Sequence, residues 1–402
     1  MTPEIKQRIE QIRRGEVPEG YVKTALGLAP ANWKRYTFGD IYTERKEPGD
    51  ENLPLLMVSI HSGVSDGEVD AAELPKQVKR IEDKSQYKKA VSGDLVFNMM
   101  RAWQGAIGTV RTTGMVSPAY IVAEPNDKAY PLFMDYYSRT PQMINQIDRQ
   151  SYGVTDFRKR LYWDSFAPIS CTLPPIEEQQ KIAAILTTQD RVIELKEKCL
   201  AEKQRQKKYL MQQLLTGKKR LPGFAFEVEK TNIKAISTYS VSTISQTMLE
   251  SYEGKQLYPV FNANSIAGHV DFYENECPYI SIIKDGAGIG RVRLCEAKSS
   301  TIGTMGCIHA RKGISIIFLY YLLEQVDFNK YSNGSTIPHL YYKDYSCEKV
   351  RIPDIKEQAA IAEVLSTADR EIELLQQDIE QEKQKKKALM QLLLTGIVRV
   401  KI

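Results

Sequence analysis

The sequence predicts an α+β protein: two globular α+β domains separated by two long antiparallel coiled-coil helices in a pseudo-twofold, circular arrangement. Three observations carry that expectation. A segment with long helical periodicity occurs twice, stretches of short β-branched and aromatic runs alternate with it, and 402 residues exceed what one hydrophobic core usually holds.

Residues 1–172 comprise an N-terminal helix and the first globular domain. The opening stretch "QIRRGEVPEGY" (Gln11–Tyr21) has the layout of "QLLTGKKRLPGF" (Gln213–Phe224): a helix end, a glycine, a proline-containing turn and an aromatic. The two domains are therefore entered alike, as in a ring of two equivalent units opened once. Strand signals follow at "LPLLMVSI", "GDLVFNMM", "GAIGTV" and "SPAYIVAE", broken by Gly, Pro, Asn and Asp, and the pattern turns helical at "PLFMDYYSRTPQMINQI".

Residues 173–220 form the first spacer helix. Pro174 and Pro175 suit its start, Gly217 suits its C-terminal cap, and no proline interrupts the interval. The second domain, residues 221–351, repeats the sequence of signals with different residues: "YPVF", "CPYISII", "GIGRVRLC" and "GCIHAR", then the helical "SIIFLYYLLEQVDF". Outside the helices the two domains show no alignment, so the scaffold is expected to be duplicated and the working surfaces to have diverged. Residues 352–402 form the second spacer helix, begun by Pro353 and closed by Gly396.

The two helical segments align without a gap at an offset of 179 residues, from Leu173/Ile352 to Gly217/Gly396, with about half the positions identical. They share a Pro-x-Ile-x-Glu-Gln start and a Leu-Thr-Gly stop. Apolar residues recur at alternating three- and four-residue steps, the seam of a coiled coil. In the first copy the apolar seam is Leu186, Ile193, Leu200, Leu210 and Leu214; in the second it is Leu365, Ile372, Leu375, Ile379, Leu389 and Leu393. Polar breaks fall at Gln189, Lys196, Lys203 and Lys207, and at Glu382 and Lys386. Lys207 and Lys386 hold the same position, where their stems are expected to snorkel to water. Glu177 and Glu178 are expected to favour the helix dipole.

Bulk properties exclude several classes. The chain is 42% hydrophobic and 26% charged, with a net charge of +5 that permits nucleic-acid binding without demanding it. No apolar run is long enough for a membrane span and the N-terminus lacks a signal-peptide core, which points to the cytoplasm and to no membrane contact. Cys171, Cys199, Cys277, Cys295, Cys307 and Cys347 form no CxxC pair and read as buried thiols in a reducing compartment. The four histidines lie far apart, without the spacing of a metal site. "ISIIKDGAGIG" lacks the third glycine of a dinucleotide loop, because Arg291 stands there, and is followed by a strand pattern, so it reads as a turn within a sheet. There is no P-loop, and "LPPI" lacks the Asn or Asp and the aromatic of an adenine methyltransferase motif. No complete catalytic set is present and no cofactor is expected in this chain.

Basic and amide side chains mixed with aromatics do occur in loop-like contexts of both domains. "NMMRAWQGAIG" brings Arg101, Trp103 and Gln104; "SYGVTDFRKRLYW" brings Arg158, Lys159, Arg160 and Tyr162. In the second domain Lys284, Arg291 and Arg293 surround the glycine-rich turn, His309 lies in "GCIHARKG", and Asn333, Thr336, His339 and Lys343 lie in "YSNGSTIPHLYYKD". Arg and Lys neutralise phosphates, while Arg, Gln, Asn and His can read base edges. The DNA-binding candidates are thus Arg101, Trp103, Gln104, Arg158, Lys159, Arg160, Lys284, Arg291, His309, Asn333, Thr336 and Lys343.

The duplicated P-x-I-x-E-Q-x-x-I helix with its L-L-T-G end, separating two unlike α+β segments, resembles the specificity subunit of type I restriction-modification enzymes. "MRAWQGAIG" with "VSPAYIV", and "YPVFNANSIAGHVDFYENECPYISIIKDGAGIG", look like two classes of target recognition domain. The resemblance implies a non-catalytic subunit that reads a bipartite site on double-stranded DNA, one half per domain, with the helices as an antiparallel spacer. It further implies two modification subunits methylating adenines with S-adenosylmethionine, and restriction subunits that use ATP and Mg. The competing readings are a coiled-coil adaptor without DNA contact and a self-sufficient modification enzyme.

Overall fold

The computed structural model describes residues 2–24, 27–50, 52–61, 63–65, 86–153, 159–224, 229–286, 288–334 and 338–402. The chain divides into two compact units, residues 1–195 with 380–402, and residues 196–379. Each long helix is therefore shared: its first half belongs to the unit of the domain that precedes it, and its second half to the other unit.

In the first unit α1 (Pro3–Arg13) precedes β1 (Lys34–Thr37), β2 (Tyr42–Glu44), β3 (Leu95–Asn98), β4 (Ile107–Thr109) and β5 (Tyr120–Pro125). Then come α2 (Pro131–Tyr137), α3 (Pro141–Arg149), β6 (Ser170–Leu173) and the long α4 (Ile176–Leu214). An antiparallel sheet of order β2-β5-β3-β4 forms, and β6 pairs with β1. The second unit runs β7 (Glu229–Asn232), β8 (Ser237–Val241), β9 (Tyr279–Ile283), β10 (Val292–Cys295), β11 (Met305–Ala310), α5 (Ile316–Glu324), β12 (Lys349–Ile352) and the long α6 (Ile355–Leu393). Its sheet has the order β8-β11-β9-β10, and β12 pairs with β7. In these sheets and strand pairs the two domains share one topology.

Alternation along the central strands explains the layers. Leu95 and Phe97 of β3 face a core with Phe133 and Phe166, whereas Val96 between them faces Val122 on the other side of the sheet. Ile182 and Leu186 from the start of α4 close the first core, together with Leu393 and Leu394 from the end of α6. The second core is built alike: Ile280, Ile308, Phe318 and Tyr345 are closed by Ile361 and Leu365 from the start of α6 and by Leu214 and Leu215 from the end of α4.

Every seam position predicted from the three-four spacing is buried or half-buried. The polar breaks find partners on the facing helix. In the first unit Gln189 Nε2 donates to Glu382 Oε2 at 2.7 Å and Lys386 Nζ lies 2.5 Å from Asp190 Oδ1. In the second, Lys196 pairs with Asp378 (2.8 Å), Lys203 with Glu371 (2.7 Å) and Lys207 with Asp369 (2.6 Å). In the second unit residue numbers rise along one helix as they fall along the other, and in the first Glu178 meets Arg399 while Gln189 meets Glu382, the same antiparallel sense.

Two expectations are corrected here. Lys207 and Lys386 do not simply reach for water. Each is held by an aspartate and lies over a tyrosine ring, Tyr321 at 5.4 Å and Tyr136 at 5.6 Å, and those tyrosine hydroxyls donate to the same aspartates at 2.7 and 2.6 Å. Burial raises both phenols above their ordinary range, so they stay protonated and can donate. Glu178 likewise does more than favour a dipole. It is fully buried, receives both Nε and Nη2 of Arg399 at 2.6 and 2.7 Å, and accepts from Trp33 Nε1 at 3.3 Å. Glu357 at the matching position is bound by Arg220 in the same forked manner.

The next residue of the shared motif has an equally definite task. Gln179 accepts from Tyr130 N at 2.8 Å and donates to the carbonyls of Lys128 and Pro174; Gln358 accepts from Ser315 N at 2.8 Å and donates to those of Gly313 and Pro353. The cysteines are mixed rather than uniformly buried. Burial pushes Cys171 up to about 12 and Cys307 up to about 11, while Cys199, Cys277 and Cys347 are exposed. Among the described residues no helix is long and apolar enough to cross a membrane.

Removing one partner of a buried ion pair strands the other charge, which costs about 3 kcal/mol or more. Arg399→Ala is therefore expected to destabilise the first unit by about 3 kcal/mol in urea unfolding, with Arg399→Lys recovering only part, because an ammonium cannot make the forked contact.

Candidate nucleic-acid interface

In the first unit the β3–β4 connection turns through a short 3-10 segment, Ala102–Gln104, capped by Gly105 at φ +104, a conformation that favours glycine. Arg101 and Gln104 point into solvent, and Trp103 is half-buried with its Nε1 donating to Met100 O at 3.0 Å. A second segment braces this loop. Tyr152 and Arg160 exchange backbone hydrogen bonds at 2.9 and 2.8 Å, and Leu161 N donates to Met99 O at 2.8 Å. Lys159 lies 5.1 Å from the Trp103 ring centroid and 2.8 Å from Asp148 Oδ1, so its charge is partly neutralised, whereas Arg160 is exposed. Arg158 lies outside the described residues.

The second unit builds the same joint with other residues. The β9–β10 connection is the glycine-rich stretch, and Gly286, Gly288 and Gly290 take φ of +88, +87 and +80, as a turn within a hairpin requires. Its brace is the strand pair Ser332–Asn333 with His339–Leu340: Leu340 N donates to Lys284 O at 2.8 Å and Gly286 N to Pro338 O at 3.0 Å. Asp285 fastens the two pieces, 2.7 Å from both Lys284 Nζ and His339 Nδ1. Burial works to raise the Asp285 carboxyl, but Lys284 and His339 outweigh it and hold it below the ordinary carboxylate range.

Arg291, exposed, donates from Nη2 to Ala263 O and Asn264 Oδ1 at 2.9 Å each, and Arg293 Nη2 donates to Asn264 O at 3.1 Å. The two guanidinium groups border a cavity of about 450 Å³ with Asn262 and Ser281. Asn333 Nδ2 reaches Asp344 Oδ2 at 3.3 Å, and Lys343 Nζ lies 5.5 Å from the Tyr341 ring centroid. Thr336 lies outside the described residues.

The structure thus gathers Arg101, Trp103, Gln104, Lys159 and Arg160 in one unit, and Lys284, Arg291, Asn333 and Lys343 in the other. His309 does not join them. It sits in β11 four residues beyond Met305, the residue paired with Ile283 beside the loop, which is about 13 Å away at 3.3 Å per residue. Its ring packs against Tyr279, and burial lowers its pKa, so it carries little charge at neutral pH.

Sequence reasoning stopped the alignment too early. At the same offset of 179 residues, Leu161/Leu340 and Tyr162/Tyr341 match upstream and Arg220/Arg399 match downstream. The single-turn helices Trp163–Phe166 and Tyr342–Tyr345, and strands β6 and β12, hold that register too. The expectation that the domains share nothing outside the spacer helices is corrected accordingly. Asp285 was also missed; its signal was a carboxylate standing between a lysine and a glycine in a turn.

Among the described residues, no three His, Cys, Asp or Glu side chains gather as a metal ion would need. What the two joints offer is exposed cationic and amide groups on rigid sheet ends, suited to binding an anionic, edge-patterned polymer.

Comparison with known proteins decides the family. The profile of the type I restriction modification DNA specificity domain matches residues 72–204 and again 225–384. The chain belongs to the type I restriction-modification DNA specificity family. It is 23% identical over 95% of its length, and 97% of the relative's, to a putative type I restriction enzyme MjaX specificity subunit of Methanocaldococcus jannaschii. The MjaVIII specificity subunit of that organism is 25% identical, over 79% of this chain and 83% of its own. The fold is similar to the crystal structure of a type I S subunit from M. genitalium, with a TM-score of 0.61 at 14% identity over 90% of this chain and 96% of that one.

This is a DNA-specificity subunit, a part of type I restriction-modification enzymes that has no catalysis of its own. The adaptor reading without DNA contact falls away, because the DNA specificity profile covers most of both domains.

Replacing Asp285 by Ala is expected to loosen the joint of the second unit alone. Hydrogen exchange should quicken several-fold at Gly286 and Leu340 while the amides of β9 keep their protection.

Proposed function

We propose that each unit's joint reads one half of a bipartite double-stranded DNA target. The supporting observation is that the β3–β4 and β9–β10 connections, which hold one topological place and are braced by one hydrogen-bond pattern, carry different side chains. Shared bracing gives each reader a fixed presentation; unlike residues give each its own preference. Arg101 and Gln104 would read base edges in the first half-site, with Arg158, Lys159, Arg160 and Trp103 settling on the backbone. Arg291, Asn333 and Lys343 would do so in the second, with Lys284 beside them and Thr336 a further candidate from the sequence.

The duplicated helix surface presents two like docking faces, which suits two copies of one modification subunit. In this reading those subunits carry S-adenosylmethionine, and restriction subunits that join in the cytoplasm carry ATP and Mg. The specificity subunit contributes position: it holds the half-sites in register so that the partner's chemistry falls on a defined adenine.

The test is a genome-wide map of methylated adenines with paired variants. Arg101→Ala with Gln104→Ala is expected to relax the first half-site by about 10- to 100-fold in discrimination and leave the second intact. Arg291→Ala with Lys343→Ala should do the converse. Relaxation of both halves by either pair, or of neither, would refute the assignment of one half-site to each joint.

A further inference from the structure

Tyr162 and Tyr341 are 51% and 50% exposed. Each follows a buried leucine, Leu161 or Leu340, whose amide is tied to the reading loop by a 2.8 Å hydrogen bond. Each is the residue before a one-turn helix, a place where Ser, Thr, Asp or Asn is preferred, and neither side chain makes a capping bond. Packing does not demand a tyrosine there, since half of each side chain is in solvent, and no hydrogen bond to a described residue occupies either hydroxyl. The residues two steps away on either side have changed chemistry: Arg160 corresponds to His339, and Asp164 to Lys343. An exposed residue kept identical between two heads whose surroundings differ needs a target that both heads share.

Two different half-sites have only the sugar-phosphate backbone in common. A phenol hydroxyl is a neutral donor that suits a phosphate oxygen, and basic or imidazole groups stand near each tyrosine, with Asp164 an opposing charge two residues from Tyr162. Arg160 is exposed beside Tyr162; the His339 ring stacks on Tyr341 at 6.5 Å, and Lys343 Nζ stands 5.5 Å from its centroid.

We infer that Tyr162 and Tyr341 are the matched, sequence-neutral contacts of the two heads, each donating its hydroxyl proton to a DNA phosphate and thereby fixing the height and rotation at which the adjoining loop meets the bases. The inference rests on the reading that both joints bind DNA. It makes a distinction that basic residues cannot: a tyrosine contact adds affinity without releasing a counterion, so its loss leaves the salt dependence of binding unchanged.

The experiment uses the full-length chain co-purified with its modification subunits. Binding to the methylated-site duplex, to a duplex with one half-site scrambled and to random DNA is measured by fluorescence anisotropy across a salt series. Tyr162→Phe and Tyr341→Phe keep the ring and are expected to weaken binding to all three DNAs by one common factor of about 10 to 100, as for loss of a hydrogen bond to a charged group. The slope of log affinity against log salt should stay at its starting value, and the methylated sequence should not change.

A loss confined to one half-site sequence would overturn the inference, as would a changed slope or unchanged affinity. Arg101→Ala and Arg291→Ala in parallel separate the two levels. If these lose affinity while the phenylalanine variants do not, only the tyrosine assignment fails; if none of the four loses affinity, the DNA-binding reading of the joints fails with it. Denaturant midpoints equal to the parent's confirm that the variants are folded.

Discussion

A glutamate with almost no exposed surface stands near the start of each long helix, and the arginine that neutralises it comes from the chain just beyond the end of the other. That reciprocity is the constraint on which the remaining structure depends. A buried carboxylate is tolerated only when paired, so neither helix start is stable without the other helix's end beside it. Apolar seams alone would allow a slide by a turn; Gln189 with Glu382, Lys207 with Asp369 and Lys386 with Asp190 oppose it, because a shifted register would leave these buried and half-buried groups without their partners.

The same contacts reach the domains. Tyr136 and Tyr321 come from the helices that follow the two sheets, and each joins a lysine and an aspartate of the spacer pair. Gln179 and Gln358 tie the helix starts to the loops ahead of those same domain helices. Each sheet is thereby fixed to the helix segments of its own unit. Since the proposed reading loops leave the central strands of the sheets, little freedom remains between those segments and the loop. Loop residues can then diverge, as Trp103 and the three glycines at 286–290 have, at no cost to the frame.

The frame was readable from sequence because it rests on periodicity and on a repeat. The three-four spacing named every seam position, and the strand runs at Leu95–Asn98, Tyr120–Pro125, Tyr279–Ile283 and Met305–Ala310 follow from their apolar runs. What sequence did not show was pairing. That Lys386 would meet Asp190, nearly two hundred residues away, depends on antiparallel register, and that Glu178 would be buried depends on Arg399 folding back. Charge and loop context selected Arg101, Gln104 and Arg291, which the structure places on the two connections, but the same criteria admitted His309, which lies in a central strand against Tyr279. Basic residues in a one-dimensional reading do not declare which end of a strand they occupy.

In the proposed reading, the paired helices set how far apart the two half-sites lie. Inserting one heptad into both helices, after Leu195 and after Ile379, keeps every seam and polar pair in phase while lengthening the strut by about 10 Å, or about three base pairs of duplex at 3.4 Å each. Mapping methylated adenines for that variant should return both half-sites unchanged and a spacer about three base pairs longer. An unaltered spacer in a stable, active variant would contradict the account.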